Sequence, residues 1–350
     1  MTQPSFMTTV RRAARARRLA AILAGAACAL AAAVPAHAGQ GSILYRKAGR
    51  LYVATPDGKR PRAIPRSRGL ESPSQDDRGN IVAQRGIRLY RLNRRGRLLN
   101  RPFTTPFRTN PIVTSFNGPF FPQVSPDGRT IAYTYSFTEA HYDVGCDCVS
   151  TSPSFNTSFT RADRATDDPA PSFGLARMYS KASWIDSRRV LMTTEHLYNF
   201  AGDVLDSVAI DTVGGGADSY QRWFSECVGC DDIQTLQLYP LDDGELARTG
   251  DKAVFVSGPL GTKTPGAQLF VYPLAAGMPP GIPQRFCTIS GATGGFSSPT
   301  WAPDGRSLAW ADARGVWVGR LGDLSGAECQ VTRRLVIPHA TAPDWGPKGR

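Results

Sequence analysis

Histidine is scarce in this chain: four residues in 350. His141, His196 and His339 lie beyond the N-terminal segment, scattered, and read as surface or loop residues rather than ligands. There is no HExxH pair for a zinc protease and no GxSxG nucleophile elbow. Long apolar runs are equally rare. The only one covers Leu19 to Val34, short of the roughly 20 residues that span a bilayer. Acids are outnumbered, 29 Asp and Glu against 41 Lys and Arg, giving a formal charge of +12.

That apolar run follows Arg11, Arg12, Arg15, Arg17 and Arg18 and ends at Ala36-His37-Ala38, a small-x-small cleavage pattern. Residues 1–38 are therefore expected to be a secretory signal peptide cut after Ala38, with no transmembrane segment left in the mature chain. Gly25 sits where a lipobox ending at Cys28 would want a larger aliphatic, and Leu19-Ala20-Ala21 after Arg17-Arg18 fits twin-arginine export poorly. The expected location is extracytoplasmic, which argues against nucleic acid as a partner.

What the chain does have is repetition. Phe121-Pro122-Gln123-Val124-Ser125-Pro126-Asp127-Gly128-Arg129-Thr130-Ile131-Ala132-Tyr133 returns as Ser298-Pro299-Thr300-Trp301-Ala302-Pro303-Asp304-Gly305-Arg306-Ser307-Leu308-Ala309-Trp310. Proline sets the first corner of a type I turn, aspartate suits the second, and glycine takes the left-handed position after it. Weaker copies centre on Asp77, Asp186 and Asp251, and a truncated one is Ala342-Pro343-Asp344-Trp345. The period is about 54 residues, the length of a four-stranded propeller blade with loop insertions. The predicted fold is all-β, a six-bladed β-propeller over residues 39–350 as one domain, with a cysteine-containing insertion near 137–180. Ser42–Tyr45, Arg50–Ala54 and Pro61–Ile64 look like a blade lacking its innermost strand, which the C-terminal copy supplies, so the ring closes without exposed edges.

These phrases, with the terminal Asp344-Trp345-Gly346-Pro347, resemble the TolB-type, WD-like β-propeller repeat. The resemblance covers most of the chain in blade period, with two close repeats. No separate N-terminal domain of the Tol-system kind is recognisable. The likeness of Ser125–Thr130 to the sialidase Asp-box is superficial, because Asp127 and Gly128 are adjacent where that box separates them.

Six cysteines remain after the leader: Cys146, Cys148, Cys227, Cys230, Cys287 and Cys329. An even number in an exported chain reads as disulfides. Cys146/Cys148 and Cys227/Cys230 are expected on one face, one blade apart, where cross-links between the pairs are feasible. Cys287 then pairs with Cys329 by default, though they belong to outer strands of adjacent blades. The alternative is a tetrahedral zinc site of Cys146, Cys148, Cys227 and Cys230.

Residues 39–110 hold 17 Lys and Arg against 4 Asp and Glu. Arg85, Arg88, Arg91 and Arg101 belong to this set, and Asn93-Arg94-Arg95-Gly96-Arg97 is expected to project a cationic tip, making Arg94, Arg95 and Arg97 ligand-binding candidates for an anionic polymer. Acidic candidates are Asp163, Asp167, Asp168, Asp231, Asp232, Asp242 and Asp243, some of which could gather around a calcium ion in a propeller channel. No catalytic set and no cofactor are expected. The sequence thus points to a monomeric, secreted, non-enzymatic binding or scaffold protein of the cell envelope, engaging an envelope protein or an anionic cell-wall polymer. The other readings are a propeller hydrolase or lyase acting on envelope glycans or lactones through channel carboxylates, and a Tol-like link in an envelope complex.

Overall fold

Five hairpin turns of the chain close in the same way. In the turn at Ser125, the Gly128 amide donates to the Ser125 carbonyl at 2.8 Å, and Asp127 accepts from the Ser125 hydroxyl and the Arg129 amide. At Ala302 the Gly305 amide donates to the Ala302 carbonyl at 2.9 Å and Asp304 accepts from the Arg306 amide. The copies without Pro-Asp-Gly reach the same end: Gly79 to Asp76, Gly250 to Ala247, and Asp186 accepting from the Arg188 and Arg189 amides. Each turn joins the first two strands of a blade.

A computed structural model describes residues 41–105, 113–166, 180–193, 208–214, 221–224, 227–228, 237–238, 241–257, 266–275, 281, 283 and 285–347. The first blade joins β1 (Ser42–Lys47), β2 (Arg50–Ala54) and β3 (Arg62–Ala63) to the last strand. The second is β4 (Glu71–Gln75), β5 (Ile81–Arg85) and β6 (Arg88–Leu92). The third is β7 (Val113–Val124), β8 (Thr130–Asp143) and β9 (Cys148–Arg161). The fourth is β10 (Ser180–Trp184), β11 (Arg189–Thr193), β12 (Val208–Thr212) and β13 (Gln221–Phe224). A two-stranded pair, β14 (Cys227–Val228) with β15 (Gln237–Leu238), precedes the fifth blade. That blade is β16 (Leu241–Leu246), β17 (Lys252–Ser257), β18 (Gln268–Pro273) and β19 (Cys287–Ile289). The sixth is β20 (Ser297–Trp301), β21 (Ser307–Asp312), β22 (Gly315–Leu321) and β23 (Val331–Pro338). Finally β24 (Thr341–Gly346) pairs antiparallel with β1, Ser42 opposite Gly346 and Leu44 opposite Asp344, as the innermost strand of the first blade. The innermost strands touch in the cyclic order β24, β4, β7, β10, β16, β20 and back to β24. The fold is a closed six-bladed propeller.

Among the described residues an apolar layer lies between each pair of neighbouring blades, and Tyr133, Tyr135 and Phe137 form a further buried cluster in the third. Leu44, Leu51 and Ile64 meet Leu70, Ile81 and Ala83 between the first and second, and Trp301, Leu308 and Trp310 meet Val254, Val256 and Leu269 between the sixth and fifth. The small residues at the strand centres, Ala132 and Ala309, are fully buried, which lets neighbouring sheets approach.

Two sequence expectations change here. Residues 137–161 are no insertion: β8 and β9 run on together, paired without a break from Thr130–Arg161 to Asp143–Cys148. At that hairpin tip Cys146 is bonded to Cys148, with Cα atoms 5.2 Å apart, rather than to Cys227 or Cys230. The side chains of Cys146 and Cys148 are thereby spent on each other, so the four-thiolate zinc alternative lacks half its ligands. Cys227 opens β14, and Cys230 lies outside the described residues. Cys287 is bonded to Cys329, Cα to Cα 5.0 Å. A parallel bridge between Thr288 and Glu328, with the Cys329 amide on the Thr288 carbonyl, draws the outer edges of the fifth and sixth blades together.

Candidate functional site: the central channel and its mouths

Every innermost strand carries an irregularity at the same height. Pairing with the second strand slips between Glu71 and Ser74, Phe120 and Gln123, Ser180 and Ser183, Asp242 and Glu245, and Ser297 and Thr300. In the first blade the slip falls between Thr341 and Asp344, opposite Arg46 and Leu44. Five of these bulges place a non-glycine residue in the left-handed region: Ser72, Phe121, Asp243, Ser298 and Ala342, with φ between 46° and 50°. In four of them proline follows, Pro73, Pro122, Pro299 and Pro343. A bulge turns the next side chain inward. The residues so placed are Ser74, Gln123, Ser183, Glu245, Thr300 and Asp344.

These side chains do more than line a hole. A backbone amide leaving a bulge has lost its ladder partner and needs another acceptor. Asp344 Oδ2 accepts from the Gln75 amide of the second blade at 3.0 Å. Ser74 Oγ accepts from the Val124 amide of the third at 2.9 Å. Glu245 Oε1 accepts from the Trp301 amide of the sixth at 2.9 Å, and Thr300 Oγ1 from the Trp345 amide of the first at 3.0 Å. Between the third and fourth blades the Trp184 indole donates to the Gln123 carbonyl at 2.9 Å. These bonds form a girdle across five of the six blade junctions; between the fourth and fifth blades the contact is Thr193 Oγ1 donating to the buried Asp242 at 3.4 Å.

Gln123, Ser183, Glu245, Thr300 and Asp344 line two cavities at once, one toward either end of the channel. The cavity at the start of the inner strands has a volume of about 260 Å³, and Ser72, Phe121, Asp243, Ser298 and Thr341 form its rim. Phe121 is 41% exposed there. At the other end Arg248 of the fifth blade reaches over the mouth to pair with Asp77 of the second, the blade opposite. The girdle acids titrate high. Glu245 is pushed up to about 8, chiefly by removal from water and then, opposed by the Trp301 amide, by the charge of Asp344. Asp344 is pushed up to about 6 by the same desolvation, against the bonds from Gln75 and the charges of Arg248 and Arg94.

The sequence candidates divide. Asp243 does reach the channel, where its Oδ2 accepts from the Ser298 amide at 2.6 Å. Asp242 is buried and accepts from Thr193 Oγ1 and the Asp243 amide. Asp163 sits away from the channel, paired with Arg161 and Arg164, and Asp167, Asp168, Asp231 and Asp232 lie outside the described residues. His339 is exposed beyond β23, His141 lies in β8, and His196 is outside the described residues. Among the described residues no three His, Cys, Asp or Glu side chains gather as a metal site. Pro126, Asp127, Gly128, Pro303, Asp304 and Gly305 are turn residues at the far end of the inner strands. Gly128 permits a close approach as well as a positive φ: a Cβ there would meet Asp76 Oδ2 at 2.3 Å.

Arg94 is not part of a free cationic tip. Its Nη2 donates to Ser42 Oγ at 2.8 Å, Gln75 Oε1 at 3.0 Å and the Pro347 carbonyl at 3.0 Å, clamping the seam where β24 meets β1. Gly79 leaves it room, since a Cβ there would strike its Nε. Burial, and then the charge of Arg62, lower its pKa. Arg95 and Arg97 are exposed, and their amides donate to Asn93 Oδ1. Glu245 and Asp344 were missed as channel residues. The recurring Pro-x step in Pro73-Ser74, Pro122-Gln123, Pro299-Thr300 and Pro343-Asp344 marks the position of Asp344, whereas Glu245 follows Gly244 and carries no such signal.

Neither a protein-family model nor a curated protein matches the chain. Among solved structures it is similar to TolB from Acinetobacter baumannii, with 16% identity over 89% of this chain and 67% of that one, TM-score 0.48. It is similar also to a putative TolB from Agrobacterium tumefaciens, 13% identical over 88% and 93% of the two chains, TM-score 0.46. A protein of unknown function from Bacteroides caccae is 11% identical over 87% and 98%, TM-score 0.45. The likeness is one of propeller fold.

Proposed function

We propose that the chain is a non-catalytic binding protein working outside the cytoplasm, where it takes a partner at the Phe121-rimmed mouth of its channel. One observation carries the reading: the channel's polar side chains are engaged in holding one blade to the next, so the channel is a rigid frame. The open mouth adds small polar residues around one exposed aromatic ring, a surface on which an extended segment of an envelope protein can dock. The basic and apolar N-terminal segment and the paired cysteines support the location.

The test is capture from an envelope extract with immobilised protein, comparing the parent with Phe121→Asp/Thr341→Arg. The reading expects a salt-resistant protein partner that the rim variant loses. Equal capture by both proteins would reject the mouth as the docking site.

A second reading rests on the two acids. Glu245 and Asp344 share the channel with pKa values of about 8 and about 6, a separation that suits a general acid and a general base. It predicts turnover of an envelope glycan or lactone that Glu245→Gln or Asp344→Asn abolishes while the partner captured at the rim is retained.

A further inference from the structure

Two open clefts lie at the far end of the inner strands from the Phe121 rim, and they share a wall. One, of about 360 Å³, is lined by Arg78, Arg91, Arg129 and Arg161 together with Asp127, Gly128 and Asp163. The other, of about 750 Å³, is lined by Arg78, Asn93, Arg94, Arg95 and Arg97 together with Asp77 and the turn at Gly79. Arg78 belongs to both, so the clefts run together as one trough along the second and third blades.

The acids of this trough are already committed. Asp76 is fully buried and accepts from the Arg78 and Asn80 amides and the Asn80 side chain. Asp77 pairs with Arg248, Asp127 accepts from its own turn and faces Arg129, and Asp163 is held by Arg161 at 2.9 and 3.0 Å. Arg91 Nη2 donates to the Gly128 carbonyl at 2.8 Å, which fixes its guanidinium at the cleft wall. Arg78, Arg95 and Arg97 form no ion pair with any of the described residues. The trough therefore carries positive charge that no acid among the described residues offsets.

We propose that this arginine trough docks an extended polyanion whose phosphate or carboxylate groups repeat along its length. A single small anion needs one cleft, whereas the three unpaired guanidiniums of Arg78, Arg95 and Arg97, set in two joined clefts, suit charges spaced along a chain, each guanidinium offering a fork of donors. Among the described residues no aromatic side chain lines either cleft. Single-stranded nucleic acid would want such stacking platforms, so it fits less well. The site is independent of the channel mouth and survives failure of the reading given for it.

The experiment measures binding of long-chain inorganic polyphosphate, polyglutamate, single-stranded DNA and phosphatidylglycerol vesicles over a salt series. The trough variant is Arg78→Ala/Arg95→Ala/Arg97→Ala. The control is Arg306→Ala/Arg320→Ala/Arg334→Ala on the sixth blade, which removes the same charge. Polyphosphate or polyglutamate should bind in a salt-dependent way. The trough variant should weaken it at least about tenfold and lower the salt slope by roughly two, with less than about threefold loss in the control. The corresponding three lysine substitutions should restore the salt slope but only part of the affinity, since lysine supplies the charge without the fork. Equal losses in trough and control variants, no binding of either polymer, or tenfold tighter binding of DNA or vesicles would each overturn the proposal. If the triple variant melts early, the single Arg97→Glu change, on an exposed turn, reads the same outcomes.

Discussion

Arg94 and its neighbours Arg95 and Arg97 look interchangeable in a string of letters and do different work in the ring. Arg94 Nη2 gives hydrogen bonds to three acceptors on two blades and the chain's last described segment. Arg94→Met keeps the stem and leaves those acceptors unmet, so it should cost about 2–3 kcal/mol in denaturant unfolding, while Arg95→Ala and Arg97→Ala stay within about 0.5 kcal/mol. Equal effects at all three positions would dismiss the clamp. Glu245 supplies a second residue-level test. Its pKa rises from 4.5 to about 8 on folding, so the folded chain keeps a proton that the unfolded chain releases between those values. Stability contributed by that proton is complete below pH 4.5 and is lost as pH climbs through 8. Asp344 acts in the same sense between 3.8 and about 6. Both face channel water in part, which moderates the effect. Glu245→Gln should match the parent's melting temperature at pH 4.5 and exceed it by roughly 2–4 °C at pH 9. Parallel curves would mean that Glu245 is ionised throughout.

At the scale of elements, the turns were legible and the bulges were not. Pro126-Asp127-Gly128 and Pro303-Asp304-Gly305 announce themselves because turn chemistry is local: each residue answers to its own φ and ψ. The copies at Asp77, Asp186 and Asp251 lost the triplet and kept the turn, since the aspartate-to-amide bonds or the glycine alone suffice. The inward aim of Glu245 and Asp344 depends instead on a one-step slip against a partner strand, which only pairing reveals. Cys287 and Cys329 pair as expected, whereas the bond between Cys146 and Cys148 was missed for a related reason. Assigning Cys146 and Cys148 to a loop hid the hairpin that sets them across one tight turn. The two disulfides should differ in energetic weight. Cys287–Cys329 spans 42 residues, and replacing both cysteines with alanine should cost about 4 kcal/mol. Cys146–Cys148 spans 2, and its removal should cost less than about 2 kcal/mol. Thermal melting of the two double variants compares them directly, and a reversed order would refute the chain-entropy argument used here.

For the whole molecule, the ring is only as sound as its seam. β24 brings Asp344 to Gln75 and Trp345 against Thr300, so it serves the second and sixth blades as well as β1. Deleting residues 340–350 should therefore open two blade interfaces together. The expected result is loss of the cooperative melt and of soluble yield. A truncated protein that melts as the parent does would show that the ring does not need its last strand.

The seam also sets a timetable. Ser42 must find the segment around Pro347, 305 residues further along. Until that segment arrives the first blade presents an unpaired strand edge, the kind of surface that recruits neighbouring chains. Wherever the chain folds, the last residues to enter the ring are the ones that cover its first exposed edge.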